Sequence, residues 1–315
     1  MFKRKKILIT GATGFVGSNL LRYFIKEGAD IYIFTRKESN KWRINDVLAK
    51  VKEFKVDLTD KDSLSRIVMR ISPQIIMHTA VYGNFPGHYG SKRIMDVNLK
   101  GTVNLINSCK GIDFELFVNS GSSSEYGLKL HPMNEQDPLN PLGPYGASKA
   151  AAGLYAQKAA WEYNKPIVTL RLFSPYGYFE DAGRLIPSVI LACLKGRKLQ
   201  LSSPRSVRDF VFIEDVVDAY IKAFKNRKKI SGGIFNIGSG SQHTIKYVVT
   251  KIISLTNSKI KPNWGSLDNL RVEPKRWQAN IRKAKNELGW LPAYSLDKGL
   301  SKTISWFKHN IDLYN

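Results

Sequence analysis

Tyr145 and Lys149, four residues apart in Pro144-Tyr145-Gly146-Ala147-Ser148-Lys149, share a face if a helix carries them. A phenol ordinarily holds its proton to about pH 10. A neighbouring ammonium favours the phenolate, so such a tyrosine can exchange a proton nearer neutrality. Upstream, Leu116-Phe117-Val118-Asn119-Ser120-Gly121-Ser122-Ser123-Ser124-Glu125-Tyr126-Gly127 reads as a strand breaking into a serine-rich loop. A hydroxyl at that strand end can orient the oxygen that reacts. Tyr-x-x-x-Lys alone is common by chance, so the reading depends on the elements that position it.

Those elements begin with Lys6-Ile7-Leu8-Ile9-Thr10-Gly11-Ala12-Thr13-Gly14-Phe15-Val16-Gly17-Ser18-Asn19-Leu20. An apolar run, three glycines at intervals of three and an apolar helical pattern predict strand, tight turn and helix. Glycine lets backbone approach a pyrophosphate, and the helix N-terminus offers free N–H groups and partial positive charge. Gly17 would let the helix pack close to the sheet. Further strands are expected at Ile31–Phe34, Val51–Val56, Ile75–His78, Leu116–Asn119 and Ile167–Leu172. Helices are expected near 15–27, 60–70, 92–110 and 145–163. Short apolar strands alternating with helices predict an α/β fold, a doubly wound parallel sheet of the Rossmann type.

The second half is less regular. It predicts helices near 185–195, 214–225, 244–256, 280–288 and 296–308, a polar-basic hairpin up to Phe212 and a strand at Gly233–Ile237. Residues 1–172 are read as the dinucleotide-binding domain, with 212–238 returning to it. Residues 173–211 and 239–315 are read as a smaller C-terminal substrate-binding lobe.

Thr10-Gly11-x-x-Gly14-Phe15-x-Gly17 resembles the opening of the extended short-chain dehydrogenase/reductases, the NAD-dependent epimerase/dehydratase family of nucleotide-sugar enzymes. Motifs of that family run from Thr10 to Pro292. The resemblance implies that Gly11, Thr13, Gly14, Phe15 and Val16 hold the cofactor. Asp57, closing the third strand beside Leu58, would bond the adenine amino group, and Thr79 and Ala80 in His78-Thr79-Ala80 would lie along the cofactor. His78 itself reads as a packed strand-end residue. Val81 stands where the family has a second alanine. Beyond the second strand, Thr35-Arg36-Lys37 offers two cations and no acid before Glu38, which favours NADP(H), with NAD(H) possible.

Anchored on Tyr126-Gly127, the family's catalytic hydroxyl falls on Ser122, alongside Tyr145 and Lys149; the last two would also bind the cofactor, Lys149 by holding the nicotinamide ribose. With Lys149 and an oxidised nicotinamide both nearby, the tyrosine's pKa is expected to be lowered. The 4,6-dehydratases place acids at the next two positions, where this chain has Ser123 and Ser124. Elimination then lacks its general acid, unless Glu125 fills that role one residue on. Arg171-Leu172-Phe173-Ser174-Pro175-Tyr176-Gly177 has Ser174 where an asparagine usually meets the sugar nucleotide. Val207-Arg208-Asp209-Phe210-Val211 implies a pyrophosphate contact from Arg208, because a guanidinium suits a bidentate anion. Arg276 is a second candidate clamp, and Tyr82 and Ser123 are further candidate substrate contacts. Leu288-Gly289-Trp290-Leu291-Pro292 matches a packing motif.

The expected activity is therefore hydride transfer on a nucleoside-diphosphate sugar, 4-keto reduction of an NDP-deoxyhexulose foremost, resembling reductases of the CDP-abequose synthase type. A 4-epimerase with retained NAD is the alternative. A non-catalytic NADP-sensing or RNA-binding protein is the third, and the intact Ser122, Tyr145 and Lys149 argue against it.

The formal charge of +23 over 315 residues could signal nucleic acid or an anionic membrane. The lysines are spread along the chain, however, and a lysine-rich surface with an anionic small substrate accounts for the balance. No nucleic-acid or membrane partner is expected. No apolar run approaches the ~20 residues of a membrane span, and the basic start runs straight into the first strand rather than into a signal peptide. Cys109 and Cys193 lie far apart without zinc spacing and read as reduced packing residues. A cytoplasmic homodimer is expected.

Overall fold

A computed structural model describes residues 1–83, 90–266 and 274–314. The first half alternates β1 (Lys6–Thr10), α1 (Phe15–Lys26), β2 (Asp30–Thr35), β3 (Lys52–Lys55), α2 (Lys61–Ile71), β4 (Ile75–His78), α3 (Ser91–Met95), α4 (Gly101–Ser108), β5 (Leu116–Ser122), α5 (Pro144–Glu162) and β6 (Ile167–Leu172). The second half adds β7 (Ser174–Tyr176), α6 (Leu185–Lys195), β8 (Leu199–Leu201), β9 (Val207–Arg208), β10 (Phe210–Phe212), α7 (Ile213–Asn226), β11 (Ile234–Ile237), β12 (His243–Thr244), α8 (Ile245–Thr256), β13 (Pro262–Trp264) and α9 (Leu296–His309).

Among the described residues, seven strands make one sheet in the order β11-β6-β5-β4-β1-β2-β3. Every pair in it is parallel. The strands are apolar on successive residues because both faces are covered. Ile7, Ile9, Ile75, Met77, Leu116 and Val118 enter the core with α1, α6 and α7, whereas Leu8, Ile76 and Phe117 enter the one with α2, α4 and α5. That is the two-residue period of a strand read out on two cores at once. The chain winds outward from β1 through β2 to β3, then returns to β4 on the other side. The crevice at the C-terminal ends of β1 and β4 is thus the topological switch point, where ligands of such sheets bind.

The expected hairpin before Phe212 does not form. β8 pairs in parallel with β13, β9 pairs antiparallel with β12, and β10 pairs in parallel with β7. Each short strand takes a partner distant in sequence, which no local pattern specifies. The expected helix over 92–110 is interrupted by a π-helical turn at Asp96–Lys100, and that over 280–288 is reduced to a π-helical turn at Ala284–Leu288. Gly289 stops the latter in the left-handed region, at φ 59°. Trp290 is fully buried and donates its indole N–H to the Asp215 carbonyl at 3.0 Å, which ties the end of the chain to α7. Among the described residues no helix is long and apolar enough to cross a membrane.

Candidate active site

The glycine turn is shaped by close approach. Gly11 sits at φ +70°, and a Cβ there would lie 2.6 Å from the Ala80 nitrogen. A Cβ on Gly17 would lie 2.2 Å from the Gly11 carbonyl oxygen and 2.7 Å from Thr79 Oγ1. Gly14 caps α1 and donates its N–H to the Gly11 carbonyl at 2.9 Å. Phe15 and Val16 open the helix, and its first-turn N–H groups have no acceptor inside it. The Thr13 carbonyl accepts from Arg43 at 3.4 Å, and Thr79 Oγ1 donates to the Thr10 carbonyl at 2.7 Å. Small residues, crossing backbone and a helix N-terminus at the switch point fit the pyrophosphate of a dinucleotide. His78 lies between the hydroxyls of Thr10 and Thr102 at 2.6 and 2.8 Å. Burial, with the charge of Lys149, pushes its pKa down to about 3, so it stays neutral and is no base.

At the end of β2, Arg36 and Lys37 are exposed, and the Arg36 backbone N–H is held by Ser39 Oγ at 2.8 Å. An acid is present nearby after all, from the adjacent strand. Glu53 of β3 accepts from Thr35 and pairs with Lys41 and Lys55 at 2.8 Å each. Burial raises its pKa, but Lys41, Lys55 and Thr35 outweigh that and hold it at about 2. Asp57 accepts from the Thr59 N–H and hydroxyl at 2.9 and 2.7 Å and pairs with Arg93 at 3.4 Å. The cap of α2 is Asp60 instead. Beside Asp57, Leu58 is buried, and its carbonyl accepts from Asn104.

Ser122 ends β5 and caps a single helical turn, Ser123–Glu125. Its hydroxyl accepts the Ser124 N–H at 3.1 Å, and its own N–H is bound by Glu125 Oε1 at 2.7 Å. Glu125 is fully buried and forms an ion pair with Arg171 of β6 at 2.7 Å. Arg171 also donates to the Tyr126 hydroxyl, which donates to Asn236 Oδ1. Glu125 is thus the floor of the serine turn and not a group facing a substrate.

The start of α5 lies against this turn, since a Cβ on Gly146 would come within 2.5 Å of the Ser124 carbonyl oxygen. Tyr145 lies close enough to Ser122 for that hydroxyl to act on its pKa, and Lys149 is buried one helical turn on. Burial lowers the Lys149 pKa to about 8, against the opposing charge of Glu125. The expected lowering of the Tyr145 pKa is reversed in the chain by itself. Burial raises it, Ser122 and Arg184 pull it back, and Glu125 adds to the rise.

Asn98, in the π-helical turn before α4, escaped sequence reasoning. It clamps Tyr82 through both backbone groups at 2.8 Å and donates to Ser148 Oγ at 3.0 Å. The extra residue of a π turn shifts a side chain off the helical period, so periodicity could not flag it.

On the C-terminal side, the Ser174 N–H is bound by the Asp209 carbonyl at 2.9 Å. Arg208 donates to the Val207 carbonyl, and its guanidinium lies 5.4 Å over the Trp277 ring. Trp277 in turn donates its indole N–H to Ser123 Oγ at 3.1 Å. Asp209, fully buried, accepts from Ser239, Gly240 and Ala279 and so binds three segments together. Ser122, Ser123, Tyr145 and Lys149 therefore cluster, with Tyr82 tethered through Asn98 and Arg208 through Trp277. Arg276 is half-buried, adjacent in sequence to Trp277.

The model of the NAD dependent epimerase/dehydratase family matches residues 7–238. The chain is 29% identical to dTDP-glucose 4,6-dehydratase of Haemophilus influenzae, over 96% of this chain and 98% of that protein. It is 29% identical to UDP-glucuronate 4-epimerase of Thermodesulfobacterium geofontis, over 97% of each. The crystal structure of UDP-glucuronic acid 4-epimerase from Bacillus cereus, in complex with UDP-glucuronic acid and NAD, matches with a TM-score of 0.86 at 25% identity, over 97% of this chain and 99% of that one. With most of the chain inside the family model and the sheet order and glycine turn in agreement, the protein is a member of the NAD dependent epimerase/dehydratase family of enzymes.

Proposed function

We propose that the protein reduces the 4-keto group of a nucleoside-diphosphate deoxyhexulose with NADPH. The observation that carries this reading is the state of the serine turn. Elimination of water needs a free carboxylic acid beside Ser122, and the chain supplies Ser123 and Ser124 there while Arg171 holds Glu125 in the floor. Hydride transfer at a sugar carbon needs only the hydroxyl, phenol and ammonium of Ser122, Tyr145 and Lys149. A reduced nicotinamide, when bound, supplies the hydride. Tyr145 gives its proton to the carbonyl oxygen, Ser122 holds that oxygen, and Lys149 favours the phenolate left behind. Lys149 is buried and Tyr145 half-buried, which limits the access of water to that proton.

Arg36 and Lys37, exposed at the end of β2, suit a ribose 2′-phosphate, and Glu53 is already taken by Lys41 and Lys55. Residues 1–172 and 212–238 act as the cofactor domain. Residues 173–211 and 239–315 act as the substrate lobe, where Ser174, Arg208 and Arg276 face the nucleoside diphosphate. We place the enzyme in the cytoplasm as a homodimer.

The second reading is a 4-epimerase, favoured by the 4-epimerase relatives and by the NAD in the Bacillus cereus structure. Incubation with NADPH and a dTDP-4-keto-6-deoxyhexose separates the two. The reductase consumes NADPH in step with the sugar, prefers it to NADH, and loses that preference in Arg36→Asp. Tightly co-purifying NAD and interconversion of two saturated sugars, with no net change in nicotinamide absorbance, would establish the epimerase instead.

A further inference from the structure

We propose that Trp277 is a positioning residue that sets the catalytic serine turn and the diphosphate-binding arginine with one side chain, so that occupancy of the nucleotide site is felt at Ser122. The proposal rests on the reading of Ser122 and Arg208 given above and adds the residue that joins them.

The indole has two jobs in the structure. Its N–H donates to Ser123 Oγ at 3.1 Å, and Ser123 is a buried residue peptide-bonded to Ser122. Its ring face lies under the Arg208 guanidinium at 5.4 Å, within the range of a cation–π contact. The backbone that carries it is fixed on both flanks. The Trp277 N–H donates to Gln242 Oε1 at 2.8 Å, and the Gln278 amide donates to the Gly240 carbonyl at 2.6 Å. The Gln278 carbonyl accepts the Met133 N–H at 2.8 Å, and the Ala279 N–H donates to Asp209 Oδ2 at 2.9 Å. Asp209 adjoins Arg208 in sequence, so the arginine and the indole are carried on one bolted frame.

The serine turn is held from beneath by Glu125 and Arg171, which fixes its depth against β6. Trp277 is a hold on the same turn from the C-terminal half of the chain. An anion bound at the N–H edge of the Arg208 guanidinium draws that group toward itself and changes how it sits on the indole face. Any shift of that contact moves a ring whose far edge is bonded to Ser123. Because the Ser123 oxygen accepts from Trp277, its own proton is directed elsewhere, which also fixes what the hydroxyl can offer a sugar.

The test uses the full-length protein with its indole nitrogens labelled with ¹⁵N, and UDP and dTDP as probes. The Trp277 indole signal is assigned by its loss in Trp277→Phe. The expected result is that Ser123→Ala shifts this signal, that a nucleoside diphosphate shifts it, and that Arg208→Ala abolishes the nucleotide-induced shift. A Trp277 signal indifferent to Ser123→Ala or to saturating nucleotide overturns the proposal, whatever reaction the enzyme performs. In turnover, Trp277→Phe keeps the ring and loses the N–H, so kcat falls about 3–10-fold, the worth of one hydrogen bond, with little change in KM. Ser123→Ala loses at least as much, since its own hydroxyl goes too, and adding Trp277→Phe to it costs nothing further, because the contact between them is already gone. Additive losses overturn the coupling. If the wild type turns over no keto-sugar nucleotide, the reaction assignment fails while the spectroscopic arm still decides the role of Trp277.

Discussion

At the scale of single residues, the role proposed for Lys149 sets stability against function. A lysine 3% exposed, with its pKa brought down to about 8 by burial, is charged at neutral pH only at a cost to the fold. Its folded pKa lies below its ordinary 10.5, so its contribution to stability is present above 10.5 and lost as pH falls through about 8. Lys149→Met is expected to raise the melting temperature at pH 7, with the gain shrinking as pH climbs through that window, while turnover and cofactor affinity both fall. Tyr145→Phe separates the roles. It removes the proposed proton donor and leaves the ring, so rate is expected to drop about 10²–10⁴-fold with cofactor affinity little changed. Steady-state kinetics and cofactor titration on the two variants check the pair. Normal turnover in Tyr145→Phe would sink the proton path.

Elements hold these residues in register, and they do so with buried charge. The turn after β5 is built by Glu125 and Arg171, a pair whose loss of one partner leaves an uncompensated charge in the core. The connection from β7 to α6 holds another buried acid, Glu180, 7% exposed, whose Oε2 has no hydrogen-bond partner among the described residues. Burial pushes its pKa up to about 8, although Arg184, the Gly177 backbone and Arg43 draw it back. Its folded pKa therefore lies above the ordinary 4.5, and its contribution is full below 4.5 and lost as pH rises through about 8. Glu180→Gln keeps the shape without the titration. Thermal melts across that window are expected to show the wild type falling behind the variant as pH rises. Parallel melting curves would mean that the ionised Glu180 carboxylate is already accommodated.

For the whole molecule, a formal charge of +23 sets a cost of self-repulsion that salt relieves. At about 0.01 M ionic strength the screening length is roughly 30 Å, and at 0.15 M about 8 Å. The melting temperature is accordingly expected to rise between those two conditions, by scanning calorimetry at constant pH. A fall would mean that attractive pairs, such as Arg22 with Asp46 and Lys251 with Asp297, outweigh the repulsion.

What the sequence determined by itself was whatever is written in local period and local chemistry. The apolar run into Gly11-x-x-Gly14-x-x-Gly17 already meant strand, turn and helix, because only glycine tolerates a carbonyl 2.2 Å from where a Cβ would stand. The placement of Tyr145 and Lys149 on one helix was legible from spacing, and the parallel sheet from short, largely apolar strands alternating with helices. What needed the tertiary structure was each contact between residues far apart in the chain. Glu125 could not be told from a displaced acid until Arg171, 46 residues on, was seen to hold it. Glu53 came to the end of β2 from the next strand, and β8, β9 and β10 found partners that no hairpin pattern predicts. The Tyr145 pKa moved the opposite way from expectation because burial, a property of the packed molecule, outweighed the charges that motifs can suggest. Trp277 reached Ser123 across 154 residues. Periodicity reports which face of an element is buried, and only packing decides what that face is buried against.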